Sequence, residues 1–355
     1  MSKLNVLVVT PKFSVPGGVA EFNKMLMQYS AHHITPFFLS SVGYSGPSFF
    51  NKLLVLSDYL RFIVVVSIRR IKIVHVNPSL GKNAMRRDAV FVRLSKMLKK
   101  KVFVQWHGWN PDNEYLLEKY KKFLDTTLFR ADHIRFLAIS FQKIFKISGY
   151  SNATSIGNTF VDNNLLQSLP HQLEEKTGFN ILFLSTVSKN KGIHMVLNVY
   201  KLLKNKYPQL QLTVAGTGAE LDVIKERVEV ENVSDVSFLG FVSERYKREA
   251  FLSADVYVLP SQYEGMPTSV IEAMGLGLPV ICSAVGALPD FFENEKMGSM
   301  IDTFNVCDYY RSIEKLITQP EQVKAISKYN KAYVEDQFTA SKSVAEIDEI
   351  YSALS

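Results

Sequence analysis

Short apolar runs alternate with longer stretches of helical spacing along almost the whole chain. Residues 3–10 read as a strand rich in β-branched side chains. A turn-rich loop covers 11–18, and helical spacing follows over 19–30. Strand-like runs recur at 71–76, 101–106 and 134–139, with helical patterns over 88–98 and 114–129. Residues 151–175, polar and carrying Asn, Ser, Gly and Pro, read as an interdomain connection. A second alternation then begins. Strands are expected at 179–184, 209–215, 236–239, 255–260 and 278–282, and helices at 192–207 and 220–230. Strand–helix alternation predicts α/β architecture: two doubly wound halves in tandem, each on a parallel sheet. Ligands of such sheets bind at the carboxyl ends of the strands, and two facing halves make a cleft.

At 355 residues the chain exceeds one ordinary core, which agrees with two domains. An apolar content of 47% and a charged content of 21% are those of a soluble globular protein. Two cysteines, Cys282 and Cys307, exclude a disulfide framework and read as buried small apolar residues. The first residues read as a strand rather than a signal peptide, and the longest apolar run, 62–68, is too short to span a bilayer. A cytoplasmic location is expected.

The net charge of +7 is unevenly spread. Residues 1–165 hold 23 Lys+Arg against 9 Asp+Glu, and residues 166–355 hold 18 against 25. Cations at Arg69, Arg70 and Lys72, at Arg86 and Arg87, and at 99–101 lie between apolar segments, and 52–70 mixes large apolar residues with cations at its ends. That pattern fits peripheral docking on an anionic membrane, and equally solvated helix faces. Nucleic acid is not expected as a partner, since no recognition motif accompanies the charge.

The densest chemistry lies at 263–281, where Glu264 and Glu272 stand eight residues apart in Tyr-Glu-Gly-Met-Pro-Thr-Ser-Val-Ile-Glu. The strand before it and the helix after it form a strand–loop–helix unit that aims backbone N–H groups at an anion. Ser269-x-x-Glu272 also fits a capping box, which accounts for Glu272 without a ligand but leaves Glu264 unexplained. Elsewhere, Gly17-Gly18 after the first strand is either a phosphate-approaching backbone or a plain turn. Lys191 sits at a helix entrance beyond a strand end, where it either neutralises phosphate or is solvated. Gly216-Thr-Gly218 lacks the third glycine of a dinucleotide site, and no metal-ligand spacing appears.

The 263–281 segment resembles the signature of retaining nucleotide-sugar glycosyltransferases of family 4, which carries a Glu–seven residues–Glu pair. Gly286-Ala-Leu-Pro-Asp290 is similar to that family's next element, with Ala287 and Asp290 replacing its usual Gly and Glu. The resemblance implies a GT-B fold: residues 1–165 as an acceptor-side Rossmann-like domain, 166–335 as the donor-nucleotide domain, and 336–355 as a helix crossing back onto the first. It implies that His107, Lys191 and Glu264 serve catalysis. Gly17, Gly18, Gly216, Val242, Gly265, Met266, Pro267, Thr268, Ser269 and Glu272 then serve the donor, with no cofactor and no metal. Ser140 resembles a further strand-end position. The family's Gly-Arg-x-x-x-x-Lys-Gly reads here as 185–192 with Thr186 in place of the Arg, which removes one expected phosphate cation: either Lys189 compensates or the site binds diphosphate more weakly. The expected function is transfer of a sugar from a nucleoside-diphosphate sugar to a lipid-linked or polysaccharide acceptor in cell-envelope glycan synthesis. The alternatives are a non-catalytic partner of such an enzyme and a GT-B-type sugar-nucleotide epimerase.

Overall fold

The computed structural model describes residues 3–15, 17–43, 48–150, 152–167 and 178–355, the side chain of Glu244 apart. Two units emerge: Met1–Phe160 with Ala340–Ser355, and Val161–Thr339. They part at 160/161 and 339/340, where the sequence reading placed 165/166 and 335/336.

The first unit is built on β1 (Asn5–Thr10), β2 (His33–Phe38), β3 (Ile73–Val76), β4 (Lys101–Trp106), β5 (His133–Phe136) and β6 (Ala153–Ile156), in the order β2-β1-β3-β4-β5-β6. All pairs are parallel. β1, β3 and β4 are buried along nearly their whole length, as strands covered by helices on both faces must be. β2 carries Pro36 and lies at the sheet edge, where a missing N–H is tolerated. The helix Ser48–Ile68 turns Asp58, Phe62 and Val66 inward, and Phe62 meets Phe37 and Phe91 edge-on.

The helix Ala340–Leu354 closes this unit by burying Val344, Ile347 and Tyr351 among Leu4, Val6, Phe22 and Phe103. Polar anchors set its position. Tyr351 Oη lies 2.5 Å from Nδ1 of the buried His75. Asp348 accepts from Ser30 Oγ and the Ala31 amide. The buried Arg135 guanidinium donates to Glu346 Oε2 (3.0 Å), Gln105 Oε1 and the Asn158 carbonyl.

The second unit contains β7 (Asn180–Leu184), β8 (Gln211–Ala215), β9 (Val236–Gly240), β10 (Val256–Leu259), β11 (Val280–Ser283) and β12 (Gly298–Ile301), in the order β12-β11-β10-β7-β8-β9. From β7 the chain steps outward to β8 and β9, then returns to β10 on the other side of β7. The loops leaving β7 and β10 therefore open over adjoining carboxyl ends, the switch point at which doubly wound sheets bind ligands. The first unit has the same reversal between β1 and β3.

Several expectations are corrected. Residues 153–156 of the expected connection are the edge strand β6, while 151 and 168–175 lie outside the described residues. The 134–139 run ends as a strand at Phe136, and Ile139 and Ser140 open the helix Ile139–Ile147, so Ser140 is no strand end. The 114–129 pattern breaks into Tyr115–Lys119, Lys121–Asp125 and a 3₁₀ turn. Cys282 is buried but Cys307 is exposed, at the first turn of Val306–Thr318.

Candidate functional site

β10 is an apolar strand that delivers Pro260 and the buried Ser261 to the carboxyl edge of the second sheet. Three residues on stands Glu264, only 8% exposed although it lies in a loop. Its Oε1 accepts from Ser261 Oγ at 2.7 Å and from Lys191 Nζ at 2.5 Å. A carboxylate taken this far out of water requires such partners.

Lys191 reaches Glu264 because the β7 and β10 loops are locked together. Residues Lys189–Lys191 form a 3₁₀ turn that ends on Gly192, in the left-handed region at φ 81°. A Cβ on Gly192 would stand 2.2 Å from the Pro260 carbonyl oxygen, so only glycine permits both this backbone and this approach. The Gln262 amide then donates to the Asn190 carbonyl at 2.8 Å. Gly286, at φ 63°, lets the loop after β11 close on the same segment. Its missing Cβ leaves room for the Gly265 carbonyl, which accepts from the Ala287 amide at 2.8 Å.

Glu272 lies in the helix Thr268–Gly275 and is 6% exposed. The capping box does not form: Pro267 is the N-cap, and no side chain caps this helix. Ser269 Oγ lies instead 2.7 Å from the Tyr257 hydroxyl, which also donates to the Leu184 carbonyl (2.9 Å). The start of the helix is thereby tied to β10 and to the end of β7. Burial pushes the Tyr257 hydroxyl far above its ordinary range, so it stays protonated. Glu272 Oε1 accepts from Lys247 Nζ at 2.5 Å. Lys247 belongs to the helix Glu244–Ser253, and the sequence reading did not single it out.

The remaining donor-side positions surround these pairs. Gly265 is in the Glu264 loop, Met266 is buried, and Thr268 is the first helical residue. Gly216 follows β8, where its amide donates to the Gly240 carbonyl, and Val187 N donates to the Thr217 carbonyl. Val242 follows β9 and is partly buried. Thr186 is exposed in the β7 loop. Lys189 is directed to Glu220 (3.9 Å), whose other oxygen lies 2.7 Å from His194 Nε2.

In the first unit, three strand ends converge on Asn77. Its Nδ2 donates to the Val9 carbonyl at the end of β1, and its Oδ1 lies 2.7 Å from His107 Nε2, just beyond β4. Since Oδ1 only accepts, His107 carries its proton on Nε2 and presents the Nδ1 lone pair. Burial, with the Arg135 charge adding to it, holds the His107 ring down to about 3, so the imidazole is neutral at ordinary pH. Phe22 stands edge-on to it at 4.7 Å. A cavity of about 220 Å³ adjoins, lined among others by Val9, Leu39, Asn77, Ser79 and Arg87. Gly17 is the N-cap of the helix Gly18–Tyr29, while Pro16 in the loop before it lies outside the described residues. Both tryptophans are interior: Trp106 is fully buried, and Trp109 stacks on Phe141 and donates to Glu114.

Residues 168–333 match the family described as glycosyl transferases group 1. An uncharacterized glycosyltransferase of Haemophilus influenzae is 31% identical over 195 residues, covering 52% of this chain and 51% of that protein. The capsular polysaccharide biosynthesis glycosyltransferase CapM of Staphylococcus aureus is 25% identical over 257 residues, 67% of this chain and 64% of that protein. The chain thus spans about half the length of the first relative and under two thirds of the second. The Anabaena protein HepE, solved in complex with UDP and glucose, superposes with a TM-score of 0.76 over 99% of this chain and 100% of its own, at 17% identity. That similarity shows the fold, which is GT-B.

Proposed function

We propose that this chain, whose residues 168–333 match the glycosyl transferases group 1, is a retaining glycosyltransferase. It moves a sugar from a nucleoside-diphosphate sugar to a hydroxyl of a glycan or lipid-linked acceptor in the synthesis of a surface polysaccharide. One observation carries the reading. Two nearly buried glutamates stand at the switch point of the second sheet, each held by a lysine from a neighbouring strand–helix unit. A stable core has no use for two such ion pairs at a sheet's ligand-binding edge. The donor class is supported by HepE, solved with UDP and with UDP-glucose, and the acceptor class by the name of CapM.

In this reading Glu272 accepts from the ribose hydroxyls, with Lys247 fixing its orientation. Glu264, bound through Oε1, offers Oε2 to the donor sugar's hydroxyls. As the bond from the sugar's anomeric carbon to the diphosphate oxygen breaks, its electron pair leaves with the phosphate. Lys191 and the first amides of the helix Thr268–Gly275 stabilise that growing charge. The acceptor oxygen bonds the anomeric carbon from the face the diphosphate leaves, and its proton passes to a donor phosphate oxygen. Retention follows from that shared face. Neutral His107 accepts from a sugar hydroxyl through Nδ1. Positive charge comes from Lys191 and the amides rather than from a metal ion, so a chelator should leave turnover intact.

A thermal-shift panel of sugar nucleotides, followed by NMR of the product, tests the proposal. At least one sugar nucleotide should raise the unfolding midpoint by mass action, and the product should keep the donor's anomeric configuration. An inverted product would overturn the retaining mechanism. No stabilisation by any sugar nucleotide would overturn the donor assignment.

A further inference from the structure

The helix Ser48–Ile68 has two apolar faces, and within its unit only one is covered. Asp58, Phe62 and Val66 point inward. On the opposite side Phe49, Leu53, Leu56, Leu60 and Val64 follow one another at helical spacing, 46–66% exposed. Phe50 and Ile68 border this stripe, and Ser57 and Ser67 are its only polar interruptions. Seven of the twenty exposed large apolar side chains among the described residues belong to this one helix. Scattered apolar residues need no explanation, but a continuous exposed stripe marks an interaction surface.

We propose that this face docks in the interfacial plane of an anionic lipid bilayer. The charges choose the occupant. At 100° per residue Lys52 falls on one edge of the stripe, and exposed Arg69, Arg70 and Lys72 follow its carboxyl end, while Arg61 on the other edge is turned to Asp58 and the Phe37 ring. The helix's one acid, Asp58, is fully buried, accepting from the Ser40 amide and from Arg61. The outward face thus joins apolar side chains to cations and presents no carboxylate, the composition that binds acyl chains below and anionic headgroups at the rim. A second copy of the same face would bring cation against cation. The helix lies on the bilayer rather than spanning it: it contains Lys52, Asp58 and Arg61, and no helix among the described residues is long and apolar enough to cross a membrane. None of these residues belongs to the proposed donor site, so the inference stands or falls apart from the donor reading.

The test is co-sedimentation of the full chain with vesicles of phosphatidylcholine alone and of phosphatidylcholine with phosphatidylglycerol in equal parts. Binding to the anionic vesicles should exceed that to the neutral ones by at least about tenfold and should weaken with salt. The double substitutions Leu56→Ser with Leu60→Ser, and Arg69→Glu with Arg70→Glu, should each reduce it about tenfold or more. All four positions are exposed, so unfolding midpoints should match the parent and confirm folding. Equal binding to both vesicle types, or double variants that bind like the parent, would overturn the proposal. So would a dimer, seen by light scattering, that Leu56→Ser with Leu60→Ser dissociates, because the face would then belong to a second copy.

Discussion

Each residue in the donor site is explained by what its burial demands. Glu264 and Glu272 are withdrawn from water and therefore need cations, which Lys191 and Lys247 supply at 2.5 Å. Glu264→Gln keeps the shape and removes the charge. It should lower kcat by about a hundredfold, the size of effect seen when a reacting group is misplaced, with a small change in nucleotide affinity. Lys247→Met should instead raise the donor KM several-fold and leave kcat nearly unchanged, since Lys247 holds the ribose-binding Glu272 rather than the reacting sugar; steady-state kinetics separates the two. The glutamates and Lys191 were legible because they stand in a compact run and at a strand end. Lys247 was not, because 25 residues separate it from Glu272 and it sits in a charged helix that reads as solvated surface. His107 makes a pH prediction. Its folded value of about 3 lies below the ordinary 6.5, so the unfolded chain binds the extra proton. The favourable contribution is complete above about pH 6.5 and is lost as pH falls from there toward 3. Denaturation of the parent should steepen with acid over that window, and His107→Asn should remove about 1.4 kcal/mol per pH unit of the slope. An unchanged slope would mean that the ring titrates normally.

At the scale of elements, the site exists because two loops interlock over β7 and β10. Gly192→Ala puts a methyl group against the Pro260 carbonyl and a side chain into a left-handed backbone. The expected cost is about 2–3 kcal/mol, measured by chemical denaturation, with weaker donor binding because Lys191 is displaced. Stability and affinity both unchanged would show that the two loops are not coupled. The strand–loop–helix unit at 255–275 was legible from its apolar strand and its Pro, Thr and Ser. The capping box failed because Pro267 starts the helix and Ser269 is drawn to Tyr257, a contact that no local pattern encodes. β2 was missed because Pro36 interrupts its pattern. The helix Ser48–Ile68 was seen only as a mixed apolar segment, since a helix apolar on both faces lacks the contrast that reveals a period.

On the scale of the whole molecule, the chain returns at residue 340 to the unit in which it began. Val344, Ile347 and Tyr351 are fully buried there. At about 1.5–3 kcal/mol each, their loss rivals the stability of a typical domain. Truncation after Thr339 should therefore unfold the first unit and spare the second, and hydrogen exchange resolved by peptide would show protection lost over 5–156 but kept over 180–318. Both sheets and their alternation could be read from the apolar runs, because parallel strands buried on both faces are continuous in sequence. The exact points where the units part could not, because the edge strand β6 is short and polar enough to pass for a connection. The account rests on Glu272 holding a donor nucleotide rather than merely finishing a fold. Calorimetric titration of the nucleoside diphosphate into the parent and into Glu272→Ala measures this directly. The account predicts that affinity falls at least about tenfold, or ~1.4 kcal/mol, while the variant stays folded. Equal affinity in the two proteins would contradict it.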